Sequence, residues 1–390
     1  MARAKALEPA SAGQFNTVRL LAEPRITARG LSEVSGPAAI TCWDALAARA
    51  GEPNPFFESW YLLPALRGLD PAGKVRLLVL ESDGEWLGLV PISLDSRYYT
   101  YPLPQLCNWI HGNCFLGLPL IAKGYEAAFW QALLDWADHN AAYGLFLHLS
   151  HLPLESRACQ ILRSLLAETS RNSALVHSEE RALLASPMSA EEYWEASLSG
   201  KKRKELRRQR NRLAELGTVA IEQTRSAAGL AEWMESFLAL EAAGWKGSAG
   251  SALASDPATH ELFREALTGA AARGRLERTS ITLDGQPIAM LASFIAAPGS
   301  FSFKTAFDEA YSRFSPGVLL QQTNLALLDD PEVAWSDSCA AADHPMIDHI
   351  WRERRTIGRL SIAIGGAARR TLFAGLAYLE CGFKSGTAKP

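Results

Sequence analysis

The chain has 390 residues, 48% hydrophobic and 21% charged, enough for two ordinary domains with sizeable cores. Its formal net charge of -3 recruits neither nucleic acid nor an anionic membrane, and no apolar run approaches the ~20 residues of a membrane span. Cys42, Cys107, Cys114, Cys159, Cys339 and Cys381 are scattered without a CxxC pair. That suggests neither a zinc cage nor a redox motif, and free thiols in a reducing cytoplasm are expected.

Residues 1–30 mix Arg, Glu, Pro and Ala without a compact apolar core and a small-residue cleavage site. They read as a frayed tail rather than a signal peptide. A helix is expected over 56–66. Val75–Leu80 and Trp86–Ile92 then flank Asp83-Gly84, a strong hairpin signal. A helix follows over 125–138, a strand over 143–149 and a helix over 155–168.

The second half repeats this order. Helices are expected over 230–241 and 257–273. Asp284-Gly285 joins two more apolar strands. Phe301, Phe303 and Thr305 alternate with Ser302 and Lys304, as a strand should. A helix over 316–328, a strand over 333–338 and a helix over 345–359 complete the pattern. The fold class is α/β: two tandem units, 35–175 and 185–370, each a mixed sheet flanked by helices.

Near the start of the second unit lies Lys201-Lys-Arg-Lys-Glu-Leu-Arg-Arg-Gln-Arg-Asn-Arg212, with eight basic residues and one acid. A solvated charged face is one reading. Self-repulsion along one helix argues for a nearby anion, so Lys202, Arg203 and Arg207 are candidates to meet a phosphate-bearing ligand. No helix-turn-helix, finger or aromatic-interleaved strand supports DNA reading.

Four further segments can carry chemistry. Glu241, Trp245 and Lys246 end a helix and enter a glycine-rich loop, either a cleft wall or a plain C-cap. Lys304 can hold an anion, polarise a carbonyl or pair with Asp308. Ser315-Pro316-Gly317-Val318 has the form of a capped helix start whose free N–H groups can meet a phosphate. His344, between Asp343 and Pro345, is either a proton acceptor near neutral pH or a helix cap. Gly-Lys-Ser/Thr, GxSxG and HExxH motifs are absent, so ATP, nucleophile-elbow and metal chemistry are not indicated.

The second half resembles the CelD-like, cellulose-biosynthesis-associated GNAT-fold acyltransferases. The resemblance is carried by Ser199–Arg208, Trp245-Lys246-Gly247, Gly274-Arg275-Leu276 and Asp284–Ala289. It continues through Phe303–Tyr311, Ser315-Pro316-Gly317, Asp343-His344-Pro345 and Trp351–Arg355. The chain is also similar to Fem-type peptidoglycan-bridge transferases, which pair two GNAT-like units and carry a comparable basic helix. The resemblance implies acyl transfer from acyl-CoA, acetyl-CoA first, to a small-molecule or sugar-linked amine in the cytoplasm, without a metal. It implies His344 as the first candidate base and Glu241 as the second. Lys304, Asp308 and Tyr311 would line the acceptor cleft beside Trp245 and Lys246. Where GNAT enzymes carry a glycine-rich pyrophosphate loop, Ser312–Val318 has one glycine. Two rival functions accompany this reading: transfer from aminoacyl-tRNA, and a non-catalytic scaffold of a polysaccharide synthesis system.

Overall fold

The structure, a computed structural model, describes residues 23–344 and 346–382. Residues 1–22 of the expected tail and Pro345 lie outside the described residues; Arg25–Arg29, read as part of that tail, instead form a strand paired with residues 77–81. The first half runs β1 (Arg25–Arg29), α1 (Leu31–Val34), α2 (Pro37–Ala48), α3 (Ser59–Leu69), β2 (Arg76–Ser82) and β3 (Glu85–Asp95). It continues through β4 (Gln105–Asn108), β5 (Leu120–Ile121), α4 (Glu126–Asn140), β6 (Phe146–Pro153), α5 (Arg157–Glu168) and β7 (Ser173–Leu184). α6 (Ala190–Ser197) and α7 (Gly200–Ala214) follow. The second half runs β8 (Val219–Thr224), α8 (Leu230–Ala243), α9 (Trp245–Ser248), α10 (Pro257–Ala271), β9 (Leu276–Leu283) and β10 (Gln286–Ala296). It ends with β11 (Gly299–Phe307), α11 (Pro316–Asn324), β12 (Trp335–Asp337), β13 (Glu353–Ala363) and α12 (Ala367–Cys381). Among the described residues no helix is long and apolar enough to cross a membrane.

The two Asp-Gly turns have nearly the same backbone. Asp83 and Gly84 take φ of 49° and 81°, and Asp284 and Gly285 take 49° and 80°. Positive φ at both central positions matches the twist of the flanking strands, which is why Asp-Gly marks them.

One expected element is overturned. The helix over 345–359 is not formed: residues 346–350 make turns and Glu353–Ala363 make β13. β13 pairs with β6 on one edge and β7 on the other. Those partners satisfy both rows of its backbone groups, so tertiary pairing overrides the local signal.

All the strands join one sheet in the order β1-β2-β3-β4-β6-β13-β7-β12-β11-β10-β9-β8, with β5 on β3. Its centre is a strand exchange. β7, the last strand of the first half, pairs with β12; β13, the last of the second, pairs with β6. Among the described residues two neighbouring pairs are parallel, β4 with β6 and β11 with β12. They occupy equivalent places in the two halves.

The exchange is held by one buried carboxylate. Asp337 on β12 accepts from Arg181 Nη2 on β7 at 2.7 Å and from Arg355 Nη1 on β13 at 3.0 Å. Its other oxygen accepts from Cys339 N at 2.9 Å. Burial alone would push its carboxyl pKa up; the two guanidinium charges and the hydrogen bonds win and hold it below 3.8. Asp337→Asn is expected to destabilise the fold by about 3–5 kcal/mol, because it leaves buried arginine charge uncompensated. Urea unfolding measures this. The wild-type contribution should be fully present above the unfolded carboxyl value near 3.8 and fade as pH falls through the lower folded value. An unchanged midpoint would mean that the strand pairing alone carries the seam.

Candidate functional site

The two parallel pairs diverge, and the two gaps are treated differently. In the first half β4 and β6 pair through Leu106↔Leu147 and Cys107↔His148. Beyond them the Asn108 amide closes the gap. Its Nδ2 donates to Ser150 O at 2.9 Å and Gly117 O at 3.0 Å, and its Oδ1 accepts from Ser150 N at 2.8 Å. Gly117 N also donates to His151 O at 2.9 Å. A Cβ on Gly117 would stand 2.0 Å from Ser150 O, so glycine permits this close passage. The chain itself fills the first split.

In the second half β11 and β12 pair through Gly299↔Trp335, Ser300↔Ser336 and Phe301↔Asp337. There β12 ends, and Cys339, at φ 52°, turns the chain away. Among the described residues no backbone hydrogen bond continues this pairing in the way that Gly117 N and Asn108 do in the first half. β11 also carries a bulge: Ala292↔Lys304 is followed by Ser293↔Ser302, leaving Phe303 unmatched. A bulge re-aims the side chains next to it.

Lys304 stands at this opened end. Its Nζ lies 5.1 Å from the Phe115 ring centre and 5.6 Å from that of Phe303. Burial first, then the nearby Lys246 charge, lowers its pKa to about 8. Lys246 Nζ in turn bonds Glu241 Oε1 at 2.8 Å and Thr305 O at 3.3 Å. The other Glu241 oxygen accepts from Leu253 N at 2.8 Å. Glu241 is thus a buried anchor for Lys246 and for the loop beyond it, with both oxygens engaged.

His344 is half-buried, and burial holds its pKa below 6.5, opposed by Asp348 and helped by Lys246. Its Nδ1 accepts from Met346 N at 3.4 Å, which leaves the proton on Nε2 in the neutral ring. Residues 346–350 form turns, so His344 does not cap the expected helix. Asp308 accepts from Ala310 N at 2.9 Å and starts a 3₁₀ turn over Glu309–Phe314; it does not pair with Lys304. Glu309 Oε1 accepts from Trp245 N at 2.8 Å, and Tyr311 packs partly buried near Phe314. Trp245 is exposed.

The expected phosphate corner differs in detail. Ser315 adopts the left-handed conformation at φ 54°, and its side chain makes no cap bond. Val318 N and Leu319 N both donate to Ser315 O, so Gly317 N is the one uncommitted amide of this start. Gly317 is buried, and a Cβ there would meet Met346 Sδ at 2.4 Å. Beside this corner α7 packs Leu213 against Phe314, Leu319 and Leu320. Arg203 pairs with Glu195 at 3.0 Å and Arg208 with Glu205 at 2.7 Å. Lys201, Lys202, Lys204, Arg207, Arg210 and Arg212 have no ion-pair partner among the described residues.

The first half contributes groups that its sequence did not signal. The His111 ring stacks on Tyr61 at 6.0 Å between centres, and burial followed by the Lys304 charge drops its pKa to about 3. Its Nδ1 accepts from Asn113 N, and its Nε2 is buried with no partner. Phe115 lies against Lys304. These residues reach β11 only through the packing of residues 109–118, which no local spacing encodes.

Residues 200–342 match the acetyltransferase (GNAT) domain family. The fold is similar to that of FemX (12% identity, 87% of this chain and 98% of that chain, TM-score 0.53). It is also similar to a conserved protein of unknown function from Bacteroides thetaiotaomicron VPI-5482 (9% identity, 83% and 97%, TM-score 0.54). A third relative is the C-terminal domain of a protein named as a lysylphosphatidylglycerol synthetase from Agrobacterium fabrum (12% identity, 89% and 98%, TM-score 0.51). No curated protein matches the sequence. The β11–β12 pair thus lies within the stretch that matches the GNAT acetyltransferase domain family, carried in an α/β fold that is similar over most of the chain's length to that of FemX.

Proposed function

We propose that the second half is an N-acyltransferase of the CelD-like type, moving an acyl group from acyl-CoA, acetyl-CoA first, to a small or sugar-linked amine. The observation that carries this reading is the contrast between the two splits. The first is closed by Asn108 and Gly117; the second ends its pairing at Phe301↔Asp337. An extended, amide-bearing donor arm can add to the strand edge left beyond that point. The units 35–175 and 185–370 then divide the work: the second binds the donor, and the first closes one wall with His111 and Phe115. A cytoplasmic setting would supply the thioester, and a polysaccharide pathway suits a sugar-linked acceptor.

In this mechanism the neutral His344 ring takes a proton from the acceptor amine at Nδ1, in exchange for its 3.4 Å contact from Met346 N, and the amine attacks the donor carbonyl. A new C–N bond forms, the C–S bond breaks and the thiolate leaves. The Lys304 ammonium, flanked by Phe115 and Phe303, stabilises the developing oxyanion in a site where water is scarce. Glu241 acts through Lys246. Trp245, Lys246, Asp308 and Tyr311 border the acceptor. Ser315, Pro316, Gly317 and Val318 offer one amide to the donor's phosphates, and Lys202, Arg203 and Arg207 on α7 add charge beside it.

A second reading is favoured by one observation, the six unpaired cations of α7. They suit transfer from an aminoacyl-tRNA as well as they suit CoA phosphates. Filter binding with tRNA and calorimetry with CoA separate the two. Replacing Lys202, Arg203 and Arg207 with Gln should weaken the true donor and flatten its salt dependence, since exposed charges are screened within about 10 Å at 0.1 M salt. Loss of tRNA binding with CoA binding intact would replace acyl-CoA as donor.

His344→Ala should lower turnover by roughly 10²–10⁴-fold while the fold and donor affinity survive. The wild-type rate should rise with pH through a limb below 6.5, where His344 loses its proton. It should fall again near pH 8, where Lys304 loses its charge. His344→Ala should erase the first limb and Lys304→Met the second. A pH profile unchanged in both variants would remove these residues from the chemistry.

A further inference from the structure

A large space that the site above does not use lies in the first half. A cleft of about 820 Å³ opens beside the closed split, with the buried Asn108 and the partly buried Ser150 in its wall. Next to it, beneath α12, lies an apolar cavity of about 370 Å³. Tyr98 and Tyr99 line both. Both volumes fall in the range of small-molecule sites.

The two spaces differ in chemistry. The cleft presents Asp95, Arg97, Arg359 and Gln105 with the rings of Trp109 and Tyr143. Gln105 is 6% exposed; its Nε2 donates to Arg97 O at 3.3 Å, while its buried Oε1 has no partner. His148, also 6% exposed, shares a 2.9 Å hydrogen bond with Ser361 through Nδ1. Arg359 Nη1 donates to Tyr99 OH at 2.9 Å. Acids and bases are mixed here, and no group of cations converges on one point. That suits a neutral ligand with many hydroxyls, each both donor and acceptor, lying against aromatic faces. The neighbouring cavity is walled by Leu103, Phe146, Val176, Phe373, Leu376 and Ala377. Its polar groups, Ser361 and Glu380, stand at one side, where Tyr98 OH donates to Glu380 Oε1 at 2.7 Å, and the apolar remainder suits a hydrocarbon chain.

The rim supports one amphipathic occupant. Tyr99 (53% exposed), Tyr101 (63%), Tyr143 (60%) and Leu379 (81%) line one space or the other. Large apolar groups held in water at a cavity mouth mark a binding surface. We infer that the adjoining spaces form one site for a saccharide carrying an apolar chain, with the sugar in the cleft and the chain beneath α12. The site is independent of the acyl-transfer reading, because its ligand is bound without a donor.

The test uses the full chain and alkyl maltosides with six, eight and ten carbons, below their micelle-forming concentrations, followed by calorimetry. Each added methylene should tighten Kd by about fourfold until the cavity is filled. Ala377→Phe should fill the cavity and flatten that dependence. Leu379→Ser, at an exposed position that folding does not need, should weaken the longer chains. Gln105→Ala should weaken every maltoside by a similar factor. A flat chain-length series in the wild type would overturn the inference. So would equal binding of alkyl sulfates of the same length, or binding to phosphatidylglycerol vesicles with none to maltosides. Maltoside binding in a protein without acyl transfer would leave this site standing and remove the proposed enzyme.

Discussion

Asp337 is the constraint on which the rest of the structure depends. It is fully buried, and its carboxylate ties β12 to β7 and β13, so one side chain fixes the strand exchange that joins the halves. The same residue is the last in register with β11, opposite Phe301. The anchor and the start of the split therefore coincide. A buried ion group of this kind is weak evidence for net stability but specifies which strands lie together. Here that specification also fixes where the sheet opens.

The doubled architecture gives a built-in comparison. Both halves make a parallel pair at the same place. One is closed by Asn108 and the passage of Gly117 beside Ser150; the other carries Lys304, Lys246 and His344 at its end. The contrast is in satisfied backbone. Strand edges need partners when buried, and the first half supplies its own. The closing segment, residues 109–118, then has a second use, since His111 and Phe115 from it wall Lys304. A half that has closed its own split shapes the open split of the other.

Much of this order was legible in the chain. The Asp-Gly turns, the βαβα tail of the first half and the helix start at Pro316 follow from local chemistry: positive φ, apolar periodicity and a proline at the first helical position. Glu241, Lys246, Lys304 and His344 were legible as reactive residue types, and folding brings them to one end of β11. Their roles were less so. Glu241 reads as a surface acid or base in sequence, but burial and two hydrogen bonds make it an anchor. Residues 353–359 read as a helix because their strand's partners, β6 and β7, lie about 170–220 residues away by position in the chain. His111 and Phe115 were missed for the same reason. These departures concern long-range pairing, which no local pattern records, whereas Ser315, which takes the left-handed conformation without a cap bond, is a local one.

The central claim is that the second split, and not the first, receives the donor. Hydrogen exchange with and without a non-hydrolysable acyl-CoA analogue tests it most directly. Slowed exchange over residues 302–318, with no change over 105–118 and 146–153, is the predicted result. Protection of the first split, or of neither, would contradict it.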